Sequence, residues 1–373
     1  MPTAFGKRAS GARLERMRAS QNWVDDSFKN VRPIAPNLKS GEKMPGLGEF
    51  LCGGNRRVPV APLPALDARE SWRAPPETGL RATWLGHSTL LLEIDGQRVL
   101  TDPVWGERAS PVPMVGPKRF QPVPVNLADL PPLDAVLISH DHYDHLDYPT
   151  IRALAKQPVP FVTSLGVGAH LEAWGVAPER ITELDWWEST DVGGLRVSAA
   201  PSQHFSGRGM GDRNATLWSG LVIKGPRHTC FFSGDTGLTS EYTDIAARLG
   251  PFDLVMLEVG AFHPAWGDIH LGPENALEAC RLLGAKRFLP IHWGTFNLAL
   301  HAWDEPAEKL LALAPARNLE LLMPRLGEAI EPIRTEAPNA WWRAVAALEK
   351  RESPEALAAQ TETLDEGVGF PID

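Results

Sequence analysis

Cysteine is scarce. The 373 residues hold three, Cys52, Cys230 and Cys280, odd in number, far apart and without a CxxC pair. That spacing excludes a disulfide framework and a thiolate metal motif, and it predicts buried thiols in a reducing compartment. Long apolar runs are also missing. No segment approaches the roughly 20 residues of a membrane span. The N-terminus lacks the apolar core of a signal peptide. The sequence alone therefore predicts a soluble, cytoplasmic chain. Basic excess is absent as well: 37 Lys and Arg stand against 46 Asp and Glu, a net charge of -9. A nucleic-acid partner calls for a basic field, so this balance excludes one. No period of 20 to 50 residues recurs, which excludes a solenoid.

One stretch departs from the acidic balance. MPTAFGKRASGARLERMRAS carries Lys7, Arg8, Arg13, Arg16 and Arg18 against Glu15. It reads as a solvated basic tail, able at most to graze an anionic surface. Residues 1–80 as a whole are rich in proline, glycine and charge and show no sustained period, so they read as an irregular arm. From Arg81 the pattern sharpens. RATWLGHSTLLLEIDGQRVLTDP alternates apolar and polar residues around Asp95-Gly96, a hairpin signal. Strands are predicted over 134–139, 160–164, 195–204 and 216–224, over 229–237 ending in a turn, and over 252–260 and 287–294. Helices are predicted over 150–156, 166–175, 240–250, 272–284, 305–314 and 339–352. Pro273 and Gly284 punctuate one of them in the expected order. Strands first, then alternating strands and helices, predict an α/β (α+β) fold of two mixed sheets with helices outside. The expected organisation is the arm, a main domain over 81–335, and a C-terminal helix with a loose tail over 336–373 packed on the same domain.

The stretch ISHDHYDHLD, from Ile138 to Asp147, packs three histidines and three aspartates together. A solvated loop has no need of such crowding, and a buried one needs a positive charge in its middle. Other predicted strand ends supply His204, Asp235 and His292. Catalytic groups commonly sit on loops held by a rigid scaffold. Imidazole and carboxylate without thiolate suit zinc, and also iron or manganese. The set suffices for two ions: His140, His142 and His204 on one, Asp144, His145 and His292 on the other, with Asp235 free to bridge. Two divalent ions would bring four positive charges. Asp144 and Asp235 cancel two and a shared hydroxide a third, leaving a positive point in an acidic protein. An anionic phosphodiester would be drawn there and hydrolysed by two-metal chemistry. We assign Asp144 to the catalytic step as well as to the metal.

With these residues in view, the sequence resembles the metallo-β-lactamase superfamily, and within it the N-acylphosphatidylethanolamine-hydrolysing phospholipase D family. The matching stretches are TWLGHSTLLLE, LTDPVW, RASP, GPKRF, DAVLISHDHYDHLDY, ELDWWE, PSQH, FFSGDTG, GPFDL and IHWGTF, from about Arg81 to Phe296. The resemblance implies a four-layer αββα sandwich with two zinc ions at one edge. It implies cleavage of a phospholipid diester on the side of the alcohol headgroup, a second copy of the chain as partner, and contact with a membrane surface. A soluble phosphodiester or a lactone stays open as the alternative substrate. It also brings in His270, within GDIHLGPENA, as a group that orients phosphate or protonates a leaving group.

Further residues are candidates for contact with substrate. Trp186 and Trp187 would line the mouth of the site. Arg208 and Arg213 stand on a glycine-rich loop after His204 and would clamp phosphate. His263 would border the pocket. His87 is expected to pack beside the ligands rather than join them. His170, His228 and His301 read as ordinary surface or helix-end histidines.

Overall fold

The computed structural model describes residues 3–34, 56–263, 268–335 and 337–351. Cys52 and the polar tail beyond residue 351 lie outside the described residues. In chain order the arm carries α1 (Ala12–Arg18) and a hairpin of β1 (Trp23–Val24) and β2 (Ser27–Phe28). The first half of the body holds β3 (Leu80–Gly86), β4 (Thr89–Ile94), β5 (Gln97–Thr101), β6 (Ala135–Ile138), α2 (Tyr148–Leu154), β7 (Phe161–Ser164), α3 (Gly168–Ala173) and β8 (Ile181–Leu184). The second half holds β9 (Ser189–Val192), β10 (Leu195–Ala200), β11 (Gly220–Lys224), β12 (Thr229–Phe232), α4 (Glu241–Leu249), β13 (Leu254–Glu258), α5 (Gly272–Leu283), β14 (Arg287–Ile291), α6 (Glu305–Leu313) and β15 (Glu320–Leu321). Then β16 (Ala329–Ile330) returns to the first sheet, and α7 (Arg343–Arg351) ends the described chain.

Period-two alternation decides how these strands stack. Successive side chains of a strand point to opposite faces. Trp84, Leu90, Leu92, Val99, Ala135 and Leu137 turn inward to meet Val197, Leu221, Ile223 and Phe232 of the other sheet. Their neighbours Leu85, Leu91, Leu100, Val136 and Ile138 turn outward, against Ile151 and Leu154 of α2 and Leu171 of α3. On the far side α4, α5 and α6 cover the second sheet with Tyr242, Ile245, Ala276, Leu277, Cys280, Ala307 and Leu310. The result is four layers, αββα. The two seven-stranded sheets run β16-β3-β4-β5-β6-β7-β8 and β15-β14-β13-β12-β11-β10-β9.

Tight turns follow the sequence closely. Asp95 and Gly96, at φ 49° and 87°, link β4 to β5 with Ile94 opposite Gln97. Positive φ at both positions is what a two-residue type I′ turn needs. Helix α5 stops at Gly284, φ 64°, the expected glycine C-cap.

Two expectations need correction, and two strands were not foreseen. The basic segment is not a solvated tail: it forms α1 and the hairpin and docks on the body. Arg13 pairs with Glu172 and Glu183 at 2.8 and 2.6 Å, and Arg16 with Glu188 at 2.5 Å. Phe28 and Met17 are buried with Trp186 and Trp218. Second, the strand expected from Thr216 begins only at Gly220. Before it, Leu217 N and Ser219 N bond to Leu165 O and Ser139 O of the other half, so the chain there crosses between the sheets. The strands β8 and β9 escape the sequence reading because both are edge strands of mixed polarity, with no alternation to betray them.

Candidate metal centre

The crowded loop after β6 resolves into separate tasks. Asp141 accepts from Gly207 N at 2.8 Å and Thr216 Oγ1 at 2.9 Å, and so ties the loop to the chain after His204. Asp147 caps α2: its side chain accepts from Thr150 N and Gly106 N at 3.3 and 3.0 Å, and from Thr150 Oγ1. Between these anchors stand His140, His142, Asp144 and His145.

Strand ends from both sheets bring the rest to the same edge. His140 follows β6, His204 follows β10, Asp235 follows β12 and His292 follows β14. Gly234, φ 55°, makes the turn into Asp235, and a Cβ there would stand 2.6 Å from the Ser139 side chain. Among the described residues, overlapping groups with ligand-type atoms within 4.8 Å of one another gather here, among them His140, His142, His204 and Asp235, and His87, Asp144, His145 and His292. His142 Nδ1 stands 2.9 Å from His140 Nε2 and 3.2 Å from His204 Nε2. Asp235 lies between the clusters. Its Oδ2 faces His140 and His204 at 3.9 and 3.7 Å, and its Oδ1 faces His145 and His292 at 3.1 and 3.2 Å. Asp144 Oδ2 faces His145 and His292 at 3.6 and 3.4 Å, and His87 Nε2 meets it at 3.0 Å.

A buried scaffold aims these rings. Asp102, at the end of β5, accepts from Ser139 N and Oγ at 2.7 and 2.6 Å and holds His145 Nδ1 at 2.7 Å. Ser139 Oγ also meets His140 Nδ1 at 2.9 Å, and Ile269 O holds His204 Nδ1 at 2.9 Å. Glu258, the last residue of β13, holds His270 Nδ1 at 3.0 Å and faces His292 Nδ1 at 4.0 Å. Asp102 and Glu258 were missed from sequence, yet each is an acid closing an apolar strand, and that signal could have found them. His87, Asp102 and His292 carry positive φ of 53°, 33° and 64°. Such strain gathers at functional sites. Hydrogen bonds hold it in place: His292 N donates to His87 O at 3.0 Å, and His87 N to Thr295 Oγ1 at 2.7 Å.

The polar atoms test whether a cation fits. Among the described residues, His145 Nε2, His292 Nε2 and Asp235 Oδ1 are buried without a hydrogen-bond partner, although they converge. Native interiors rarely leave such atoms unsatisfied. Burial, reinforced by neighbouring imidazoles, pushes His140 and His204 well below the usual histidine range. The neutral ring is the form that binds a metal. Burial opposes charge on His292 too, but Asp235, Asp144 and Glu258 outweigh it and push its pKa up to about 10. Burial likewise opposes ionisation of Asp235, yet His145 and His292 hold its carboxyl well below the usual range. The second cluster thus calls for positive charge, and a divalent ion would supply it. The residues fit a metal.

The remaining candidates divide. His270 stands beside the centre, its ring 5.2 Å from His204 and 5.4 Å from His292. Arg213 is exposed and lies 4.4 Å over Phe205, whose ring is 4.6 Å from His142. Arg208 is not a phosphate clamp: it is buried, and its guanidinium donates to the carbonyls of Ala4, Asp141 and Leu146. Trp186 is not at a mouth either, being buried with its Nε1 on Trp218 O at 2.7 Å. Trp187 is half-buried beneath Arg248 at 4.2 Å. His263 is half-buried at the end of a described segment. His170, expected at the surface, is buried; it faces Asp141 at 3.4 Å and accepts from Lys7 N at 2.9 Å. His301 stacks on Phe262 at 4.5 Å and lines a cavity beside His292 with Phe120 and Phe296.

Two face-to-face sheets between helices, with histidine and aspartate clusters at their shared edge, define the class: a metallo-β-lactamase-fold hydrolase that depends on metal. A model of the beta-lactamase superfamily domain matches residues 97–293, and the chain belongs to that superfamily. It is similar to an uncharacterized protein of Mycobacterium tuberculosis, 45% identical over 92% of each chain. It is also similar to N-acyl-phosphatidylethanolamine-hydrolyzing phospholipase D 1 of Caenorhabditis elegans, 38% identical over 83% of this chain and 88% of that one. Among solved structures, isothiocyanate hydrolase from Delia radicum gut bacteria is similar with a TM-score of 0.55 at 26% identity, covering 67% of this chain and 98% of that one.

Proposed function

We propose that the chain is a two-metal phosphodiesterase of the phospholipase D type, acting on N-acylphosphatidylethanolamine or a phospholipid like it. His140, His142 and His204 would hold one divalent ion and Asp144, His145 and His292 the other, with Asp235 placed between the two sets. The observation that carries this reading is the split of Asp235, one oxygen toward each histidine set, among buried atoms that lack partners. The donor set favours zinc, and iron or manganese share its preferences.

Bound there, two ions would polarise a phosphoryl oxygen and lower the pKa of water. The chain's own groups do the rest. His87 braces Asp144 through its Nε2. Asp102 and Ser139 fix the rings of His145 and His140. Glu258 holds His270 Nδ1, which leaves Nε2 as the atom that delivers a proton to the departing alcohol. Oxygen from water joins phosphorus, the bond to the headgroup oxygen breaks, and phosphatidic acid and an N-acylethanolamine separate. Arg213, exposed above Phe205, meets the phosphate from the solvent side. Phe120, Phe296 and His301 line a small cleft beside His292. Contact with a lipid surface draws on exposed Met114 and Val115, which lie on the loop between β5 and β6. No helix among the described residues is long and apolar enough to cross a membrane. The likeness to the Caenorhabditis elegans phospholipase supports the substrate class.

A second reading, the same centre acting on a small soluble substrate, draws on the likeness to isothiocyanate hydrolase. A panel separates them: N-acylphosphatidylethanolamine in mixed micelles, a soluble chromogenic diester and a lactone, each with and without chelator. The proposal expects chelator-sensitive release of N-acylethanolamine. Turnover of only the diester or the lactone would overturn the lipid assignment and keep the metal centre.

A further inference from the structure

We propose that the N-terminal arm is part of the metal centre: the carboxamide of Asn30 fixes the backbone of His204 and so holds the subsite of His140, His142 and His204. The inference rests on the ligand assignment above. Asn30 Nδ2 donates to His204 O at 2.7 Å, and Asn30 Oδ1 accepts from His204 N at 3.0 Å. A single side chain thus satisfies both backbone groups of the residue. His204 needs such a partner because it lies past the end of β10, where the ladder to β11 has stopped at Ala200. Buried backbone groups must be paired by something.

Other contacts lock the arrangement. Trp218 Nε1 donates to Asn30 Oδ1 at 3.0 Å, which orients the carboxamide. Ile269 O holds His204 Nδ1 at 2.9 Å, so its Nε2 is the atom left for the cluster. With backbone and Nδ1 both held, the ring cannot swing away. Asn30 is itself delivered by a docked segment. Phe28 N donates to Asn214 O at 2.9 Å, and the Phe28 ring is buried beside Trp218. Arg13 and Arg16 anchor α1 on Glu172, Glu183 and Glu188. Asn30 is therefore a positioning residue, acting on a ligand through its backbone.

Partners that orient metal ligands typically contribute about 10- to 100-fold in affinity. The test uses the full chain and cobalt(II), comparing wild type, Asn30→Ala, Asn30→Asp and His204→Ala. Bound metal per chain and the cobalt absorption spectrum are followed through a titration, and melting is recorded in chelator. The expectation for Asn30→Ala is one ion bound as in wild type and one weakened about 10- to 100-fold, with an altered spectrum. Asn30→Asp keeps the acceptor and loses the donor, so its affinity also falls. It carries the test alone should the alanine variant fail to fold. Wild-type affinity for both ions in the Asn30 variants, with one ion lost in His204→Ala, would overturn the inference and leave the ligand assignment standing. Two ions retained in His204→Ala would overturn the assignment itself, and this inference with it.

Discussion

Asp235 offers what no histidine can, two equivalent oxygens on one planar group. In the proposed assignment each oxygen serves a different ion, so its loss should be felt at both. Asp235→Ala is expected to carry well under half of the metal bound by wild type and to lose turnover, checked by elemental analysis and the lipid assay on one sample. Asp102 makes a quieter prediction. It touches no partnerless atom of the cluster but holds His145 Nδ1 and both donors of Ser139. Asp102→Ala leaves His145 Nδ1 and Ser139 N unpaired, at a cost of about 1–3 kcal/mol for each. Metal affinity should fall about 10- to 100-fold with the ligands intact, read from competition with a chromogenic chelator. The seven candidate ligands stood out in the sequence because their types and spacing are rare together. Asp102, Glu258 and Asn30 were not, because an acid or amide that braces a ring looks in sequence like any other polar residue. Arg208 misled for a related reason: glycines around it promise an exposed loop, but its guanidinium is buried under the arm.

At the scale of elements, the loop from His140 to Asp147 is held at both ends by its own aspartates. Asp141 fastens it to Gly207 and Thr216, and Asp147 caps α2. Removing a capping side chain of this kind costs about 0.5–2 kcal/mol. Asp147→Ala should lie at or above the top of that range, since Gly106 N and Thr150 Oγ1 lose their partner as well. Urea denaturation in chelator would show a lower midpoint with an unchanged slope, and an unshifted midpoint would contradict the capping role. Central strands and the helices of the body were legible from period and punctuation. The edges β8 and β9 were not, since a strand with one open side need not alternate. The arm misled more deeply: its arginines read as solvent-facing, but their acidic partners come from a part of the chain about 160 residues away.

For the whole molecule, the centre couples metal to stability. Both sheets contribute to it, and ligands that bind only the folded state raise the melting temperature by mass action. Chelation should therefore lower the melting temperature, and returned zinc should restore it; no change on chelation would mean the clusters hold no ion. Cys230 and Cys280 are buried, and burial pushes both thiols up. They should resist a thiol reagent at neutral pH until the fold opens, and rapid labelling of the native chain would contradict that packing. Two mixed sheets with helices outside were legible from the order of strands and helices, and the four-layer stacking came from the family resemblance.

The most direct measurement counts metal and turnover on one preparation, purified after growth with zinc and assayed on N-acylphosphatidylethanolamine. The account predicts about two divalent ions per chain, with N-acylethanolamine released and that release abolished by chelator. One ion or none per chain, or lipid turnover that survives complete removal of metal, would contradict it.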